Sequence, residues 1–233
     1  MPSVRQVVLD TETTGLNARL GDRVIEIGCI EMVSRRVTDR TYHQYVNPER
    51  PSEEGALRVH GLTEEFLADK PKFAEVAAAF VEHVRGAELV IHNAGFDVEF
   101  LDLELGQAGL GHLADHVAGV VDTLALAREL HPGKRNSLDA LCERYAVNNA
   151  HRTLHGALLD ARLLAEVYLA MTRGQDSLMM ELDAPAAGAG AAAPVDASRL
   201  ALLRASPEEA EAHERYLDGM AKEAGGKVVW RSS

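Results

Sequence analysis

Positive charge is scarce in this 233-residue chain: 24 Lys and Arg stand against 36 Asp and Glu, a formal net charge of −12. That balance excludes a protein held to nucleic acid by a broad basic surface. It leaves room for one that grips a few nucleotides and neutralises phosphate with metal ions. Cysteine is scarcer still. Cys29 and Cys142 fall in apolar patterns, IEIGCIEMV and LDALCERYAV, and read as buried free thiols of a reducing compartment. No stretch approaches the ~20 apolar residues that span a bilayer. The opening MPSVRQVVLD lacks the apolar run of a signal peptide, so the expected location is cytoplasmic, with no membrane partner. Aromatics make up only 5%, yet 46% of the residues are hydrophobic, ample for the core of one substantial domain plus an appendage.

Periodicity supplies the elements. Residues 4–10 end in a hydrophobic run and read as a buried strand; Val24–Val33 and Val37–Val46 continue it as a three-strand antiparallel meander, with polar residues at the joint 34–36. After Pro48 and Pro51 the character turns helical, most clearly over Phe73–Val84. Glu88–Ile91 and Val120–Thr123 are short apolar strands; helices follow each, over Phe96–Leu105 and as far as Leu130. Ser137 is placed to cap a helix over Leu138–Tyr145, and Gly156–Thr172 is a long amphipathic helix ended by Gly174. Strands first and then strand–helix alternation give an α/β fold, a mixed five-stranded sheet flanked by helices. Composition then shifts. Asp183–Ala197 holds eight Ala, two Gly and two Pro in fifteen residues, a linker that cannot bury a core. Beyond it come a Ser-Pro-Glu-Glu helix start at Ser206 and an end, KVVWRSS, that carries the one Trp, Trp230.

Three motifs carry chemistry. LDTETTG places Asp10 and Glu12 two apart at a strand end, so both carboxylates share one face and make a hard-oxygen site suited to Mg²⁺ or Mn²⁺. HNAGFD starts where the ELVI strand stops: Asn93 is placed to cap the next helix, with Phe96 and Asp97 in its first turn. His92, Phe96 and Asp97 together form a wall against which a base can stack. HGALLDA carries His155 and Asp160 five apart, which on one helix is a rotation of roughly 140°. They cannot converge if both are helical. His155 therefore belongs on a loop before the helix, mobile until substrate arrives and able to act as a general base, while Asp160 points from the helix toward the metals. A rival reading, zinc held by His151 and His155 at helical spacing, lacks the expected glutamate, since Arg152 follows His151.

DTETTG, HNAGFD and HxAxxD in this order resemble the three motifs of the DEDDh 3′–5′ exonucleases, over roughly residues 4 to 173. The resemblance implies an RNase H-like fold and a two-metal mechanism. In it Asp10, Glu12, Asp97 and Asp160 bind two divalent ions, Mg²⁺ or Mn²⁺, His155 is the general base, and the 3′-terminal nucleotide leaves as a 5′-monophosphate. It also implies that Thr13, His60 (in VHGLT), His92 and Phe96 line that nucleotide, beside Asp10, Glu12 and Asp160. The linker and tail resemble the layout of the proofreading subunits of bacterial DNA polymerase III. That likeness implies an exonuclease domain over 1–174, a clamp-binding motif over 175–182, a flexible linker over 183–197 and a polymerase-binding segment over 198–233. Its anchors would be Gln175, Leu178, Met179 and Met180 for the sliding clamp (beta) and Trp230 for the polymerase III alpha subunit. The substrate would be a single-stranded or frayed DNA 3′ end, and the likeness leaves open a small stabilising subunit. Two alternatives stay open: a free-standing exonuclease trimming short RNA or single-stranded DNA, and a catalytically silent adaptor, against which all five catalytic positions stand intact.

Overall fold

The computed structural model describes residues 5–150, 154–173 and 206–223. Gln175, Leu178, Met179, Met180, the linker over 183–197, Trp230 and His151 lie outside the described residues. The chain divides into two units, Met1–Ala184 and Pro185–Ser233.

In the first unit, β1 (Arg5–Thr13), β2 (Val24–Val33) and β3 (Arg36–Tyr45) form the antiparallel meander. β4 (Glu88–Ile91) and β5 (Gly119–Asp122) add in parallel on the other side of β1, giving the order β3-β2-β1-β4-β5. Period-two alternation divides β1 between two cores. Val7 and Leu9 face α3 (Phe73–Val84) and α4 (Ala94–Gln107), packing with Phe73, Phe80, Phe100 and Leu101. Val8 faces α6 (Leu138–Tyr145) and α7 (Ala157–Met171), packing with Leu141, Ala161, Leu164 and Tyr168. The three Phe side chains are essentially fully buried, each contributing roughly 2–3 kcal/mol by removal from water. Cys29 and Cys142 are buried free thiols, as their apolar surroundings require.

Smaller helices α1 (Glu54–His60), α2 (Glu64–Leu67) and α5 (Thr123–Leu130) complete this unit. The β2–β3 hairpin turns on Ser34 and Arg35, both with positive φ, the geometry that matches strand twist in a two-residue loop. α7 ends at Met171 with Thr172 as its C-cap: Thr172 Oγ1 donates to Tyr168 O at 2.7 Å, and Arg35 reaches across from the hairpin to Thr172 Oγ1 and Leu169 O; Gly174, the expected stop, lies outside the described residues. One sequence expectation needs correction. Asn93 occupies the N-cap position of α4 without capping it, because its left-handed backbone (φ 64°) turns the side chain away from the first-turn N–H groups.

The second unit contains α8 (Pro207–Glu223). It starts where the sequence indicated: Ser206 Oγ accepts from Glu209 N, and Glu209 Oε2 accepts from Ser206 N, a reciprocal capping box. Among the described residues no helix is long and apolar enough to cross a membrane.

Candidate active site

The carboxyl ends of β1, β4 and β5 open onto a cavity of about 600 Å³ lined by Asp10, Glu12, His92, Phe96, Asp97, His155 and Asp160. Three chain segments converge there, each for a local reason. On β1, Asp10 and Glu12 share the face toward α7, while Thr11 between them faces the other way. A bulge falls immediately after Glu12: β2 spends an extra residue, Ile25, between the partners of Glu12 and Thr13. The loop that follows is fixed by buried Asp22, whose carboxylate accepts from Thr14 Oγ1 and Asn17 N and pairs with Arg50.

α7 lies directly on β2 because Gly28, the pairing partner of Asp10, has no side chain. A Cβ there would stand 2.2 Å from the backbone of Ala157 and Leu158. This close approach brings the first turn of α7, with Asp160, over the β1 carboxylates. His155 precedes the helix, outside it as the spacing argument required, and its backbone N–H donates to Val59 O at 3.1 Å. His155 Nδ1 lies 3.3 Å from Asp160 Oδ2. Since His155 is off the helix, the i, i+4 zinc geometry is not formed on α7.

The result is a cluster in which one ligand atom each from Glu12, His155 and Asp160 lies within 4.8 Å of the others. Asp97 enters from the first turn of α4. It accepts from Thr11 N at 3.1 Å and from Thr11 Oγ1 at 2.7 Å, yet burial pushes its carboxyl up to about 7 against those hydrogen bonds. A cation beside it would favour the carboxylate. Hard-oxygen donors at this density fit divalent Mg²⁺- or Mn²⁺-type ions, and the single imidazole does not make a soft site.

A second, more apolar cavity shares Thr11, Glu12 and Phe96 with the first and is lined by Thr13, Leu16, Val59 and His60. His60 Nδ1 accepts from Leu62 N, which assigns its proton to Nε2. That Nε2 is buried without a hydrogen-bond partner, and burial holds the imidazole below its ordinary pKa. Thr13 Oγ1 is turned to Gly15 O. His92 lines the main cavity with Nδ1 against Thr123 Oγ1 at 2.9 Å, and burial lowers its pKa too.

Sequence reasoning missed four features: Gly28; Glu26, a buried carboxylate opposite Glu12 held by His43 at 2.7 Å; and Arg128 and Lys134, which line the main cavity. The alternation of VIEIG and the basic PGKRN stretch were the available signals.

Comparison with known proteins agrees with this arrangement. The family described as Exonuclease matches residues 7–168. DNA polymerase III subunit epsilon of Salmonella typhimurium is 48% identical over 98% of this chain and 98% of its own length. The Escherichia coli K12 protein of the same name gives the same figures. Among solved structures, exonuclease X in complex with 5′ overhanging duplex DNA superposes with a TM-score of 0.58 at 26% identity, covering 73% of this chain and 93% of that one. An E. coli exonuclease I–single-stranded DNA complex, at 19% identity, shares the fold, with a TM-score of 0.67 over 77% of this chain and 42% of that one. The chain is a 3′–5′ exonuclease of mixed-sheet fold that belongs to the exonuclease family, among the DNA polymerase III epsilon subunits.

Proposed function

We propose that this exonuclease proofreads for a bacterial replicative polymerase, removing mispaired 3′-terminal nucleotides as 5′-monophosphates. The observation that carries the reading is the convergence of Glu12, His155 and Asp160 in one cavity with Asp10 and Asp97. Asp10, Glu12, Asp97 and Asp160 would hold two Mg²⁺ or Mn²⁺ ions, which when bound supply water activation and charge stabilisation at the leaving 3′ oxygen.

His155 takes the proton of the attacking water at Nε2, and Asp160 at Nδ1 stabilises the imidazolium formed. Phe96 and the apolar cavity take the face of the terminal base, Thr13 and His92 bound the nucleotide on either side, and His60 offers its buried Nε2–H as a donor. Residues 1–174 form the exonuclease domain. The segment over 175–182, through Gln175, Leu178, Met179 and Met180, binds the sliding clamp. Residues 183–197 link to 198–233, which bind the polymerase alpha subunit through Trp230, and a small stabilising subunit is a further candidate partner of the exonuclease domain. A polymerase partner supplies the grip on duplex DNA that a chain of −12 lacks.

The test mixes the full chain with the polymerase subunit and supplies matched primers, primers with a mispaired 3′ end, and short RNA. Complex formation with faster removal of the mispaired deoxynucleotide is expected. No complex, with RNA the better substrate, would transfer the protein to the free-standing RNA-trimming class.

A further inference from the structure

Two cations line the main cavity together with its carboxylates, and the same stretch of chain adds a further carboxylate, Asp139. Arg128 in the last turn of α5 and Lys134 in the α5–α6 connection are the two cations, and Arg135 follows on the same turn. All three are exposed, and among the described residues no carboxylate pairs with them. Arg5, Arg19, Arg23, Arg40 and Arg50 each sit on an acidic partner, whereas Arg36 and Arg162 are exposed and do not line the main cavity. What sets Arg128 and Lys134 apart is that they line the same cavity as the carboxylates. In a chain with a large excess of acid, unpaired cations gathered at one cavity mouth call for an anionic ligand.

The turn that carries them is braced. Arg144, from α6, donates to Asn136 Oδ1 at 3.0 Å and to Arg135 O at 2.8 Å; Asn136 is buried and reaches back to His131 O; His131 Nε2 lies 2.7 Å from Tyr145 OH. Arg144 is thereby spent on structure, and the backbone that carries Lys134 and Arg135 is fixed before any ligand arrives, which lowers the ordering cost of binding. A second hollow, lined by Arg135 and Arg144 with Ala140 and Glu143, lies on this turn.

The two cavities thus differ in character while sharing Thr11, Glu12 and Phe96. The apolar one suits a base. The main cavity carries, besides its carboxylates, two exposed cations that suit phosphate. We propose that Arg128, Lys134 and Arg135 form a phosphate rail for the strand upstream of the nucleotide being removed, with the phosphodiester backbone of single-stranded DNA as ligand. This inference rests on the exonuclease reading above. Guanidinium and ammonium groups here read no sequence, as a proofreader requires. They would also hold a strand only a few nucleotides long, consistent with the acidic remainder of the surface.

The experiment compares kcat/KM of the full chain on a dT oligonucleotide with that on a nitrophenyl ester of thymidine 5′-monophosphate, which has no upstream phosphate. It uses wild type, R128Q/K134Q and the charge-conserving R128K/K134R, over a range of salt. In R128Q/K134Q the oligonucleotide-to-ester ratio should fall about tenfold, and the salt slope of log KM should shrink by about 1.4 for two lost contacts on a single strand. The charge-conserving pair should restore most of both. A ratio and slope within error of wild type, with hydrolysis intact, would overturn the rail and leave the exonuclease reading standing. Equal losses on both substrates would also overturn it, since the side chains would then act at the reacting centre. Wild type that hydrolyses neither substrate would overturn the exonuclease reading and the rail with it.

Discussion

Gly28→Ala tests the geometry of the site through a residue that touches no substrate. The added Cβ would lie 2.2 Å from Ala157 C and Leu158 N, where ordinary contact begins at 3.4 Å. Both obstacles are backbone, so no side chain can swing aside. β2 and the start of α7 must part by about 1.2 Å, the difference between those two distances. Asp160 and His155 ride on that segment while Asp10 and Glu12 stay with β1, so the cluster within 4.8 Å opens. A misplacement of ~1 Å costs on the order of 100-fold in rate, and overpacking of this kind about 1–3 kcal/mol in stability. Release of the terminal nucleotide under single turnover, beside a thermal melt, reads both. Gly106→Ala, where a Cβ meets nothing within 4 Å, serves as control. Activity of Gly28→Ala within twofold of wild type would refute the argument that α7's close approach sets the site.

Glu104→Ala breaks a part-buried pair in which Arg23 Nε and Nη2 donate to the carboxylate at 2.7 and 2.6 Å; because Arg23 keeps access to water, denaturant unfolding should show a loss of about 2 kcal/mol, below that of a fully buried pair. His83 is buried with Nε2 unpartnered, and burial first, then Arg40 and Arg5, hold its pKa below the ordinary value. The unfolded chain therefore takes up this proton at higher pH than the folded one. The stability His83 gives is complete above ~6.5 and is lost as pH falls from there through the folded value, so His83→Gln should melt with a shallower fall between pH 7 and 5. Gly61 has φ +70° and Leu154 Cδ1 2.6 Å from where a Cβ would stand, next to the Val59 carbonyl that holds His155 N. Gly61→Ala should lower kcat several-fold by shifting that imidazole, with KM for an oligonucleotide little changed in a steady-state assay.

Much of this was legible in the sequence because it is local. The Phe73–Val84 and Leu138–Tyr145 helices and the Glu88–Ile91 strand stand where periodicity and the Ser137 cap put them. The departure of His155 from the helix followed from angular arithmetic on a five-residue offset. What escaped was non-local. Arg35 caps α7 from a hairpin far away in sequence, which no local pattern announces. Asn93 has the right residue type for a cap but the wrong backbone, which its neighbours do not reveal. Gly28 reads as a weak point in a strand until α7 is laid upon it. Arg128 and Lys134 look like ordinary helix-end and turn charges until the fold brings them to the cavity that the carboxylates line.

The central claim is that the carboxylate–histidine cluster is a metal-dependent hydrolytic centre acting at a 3′ end. Following a 3′-labelled DNA strand with the full chain, with Mg²⁺ or with chelator, and with Glu12→Gln beside wild type, tests it most directly. The account predicts release of the labelled nucleoside 5′-monophosphate first and loss of at least 100-fold in rate with chelator or with Glu12→Gln. Undiminished release in either condition, or cleavage beginning at the 5′ end, would contradict it.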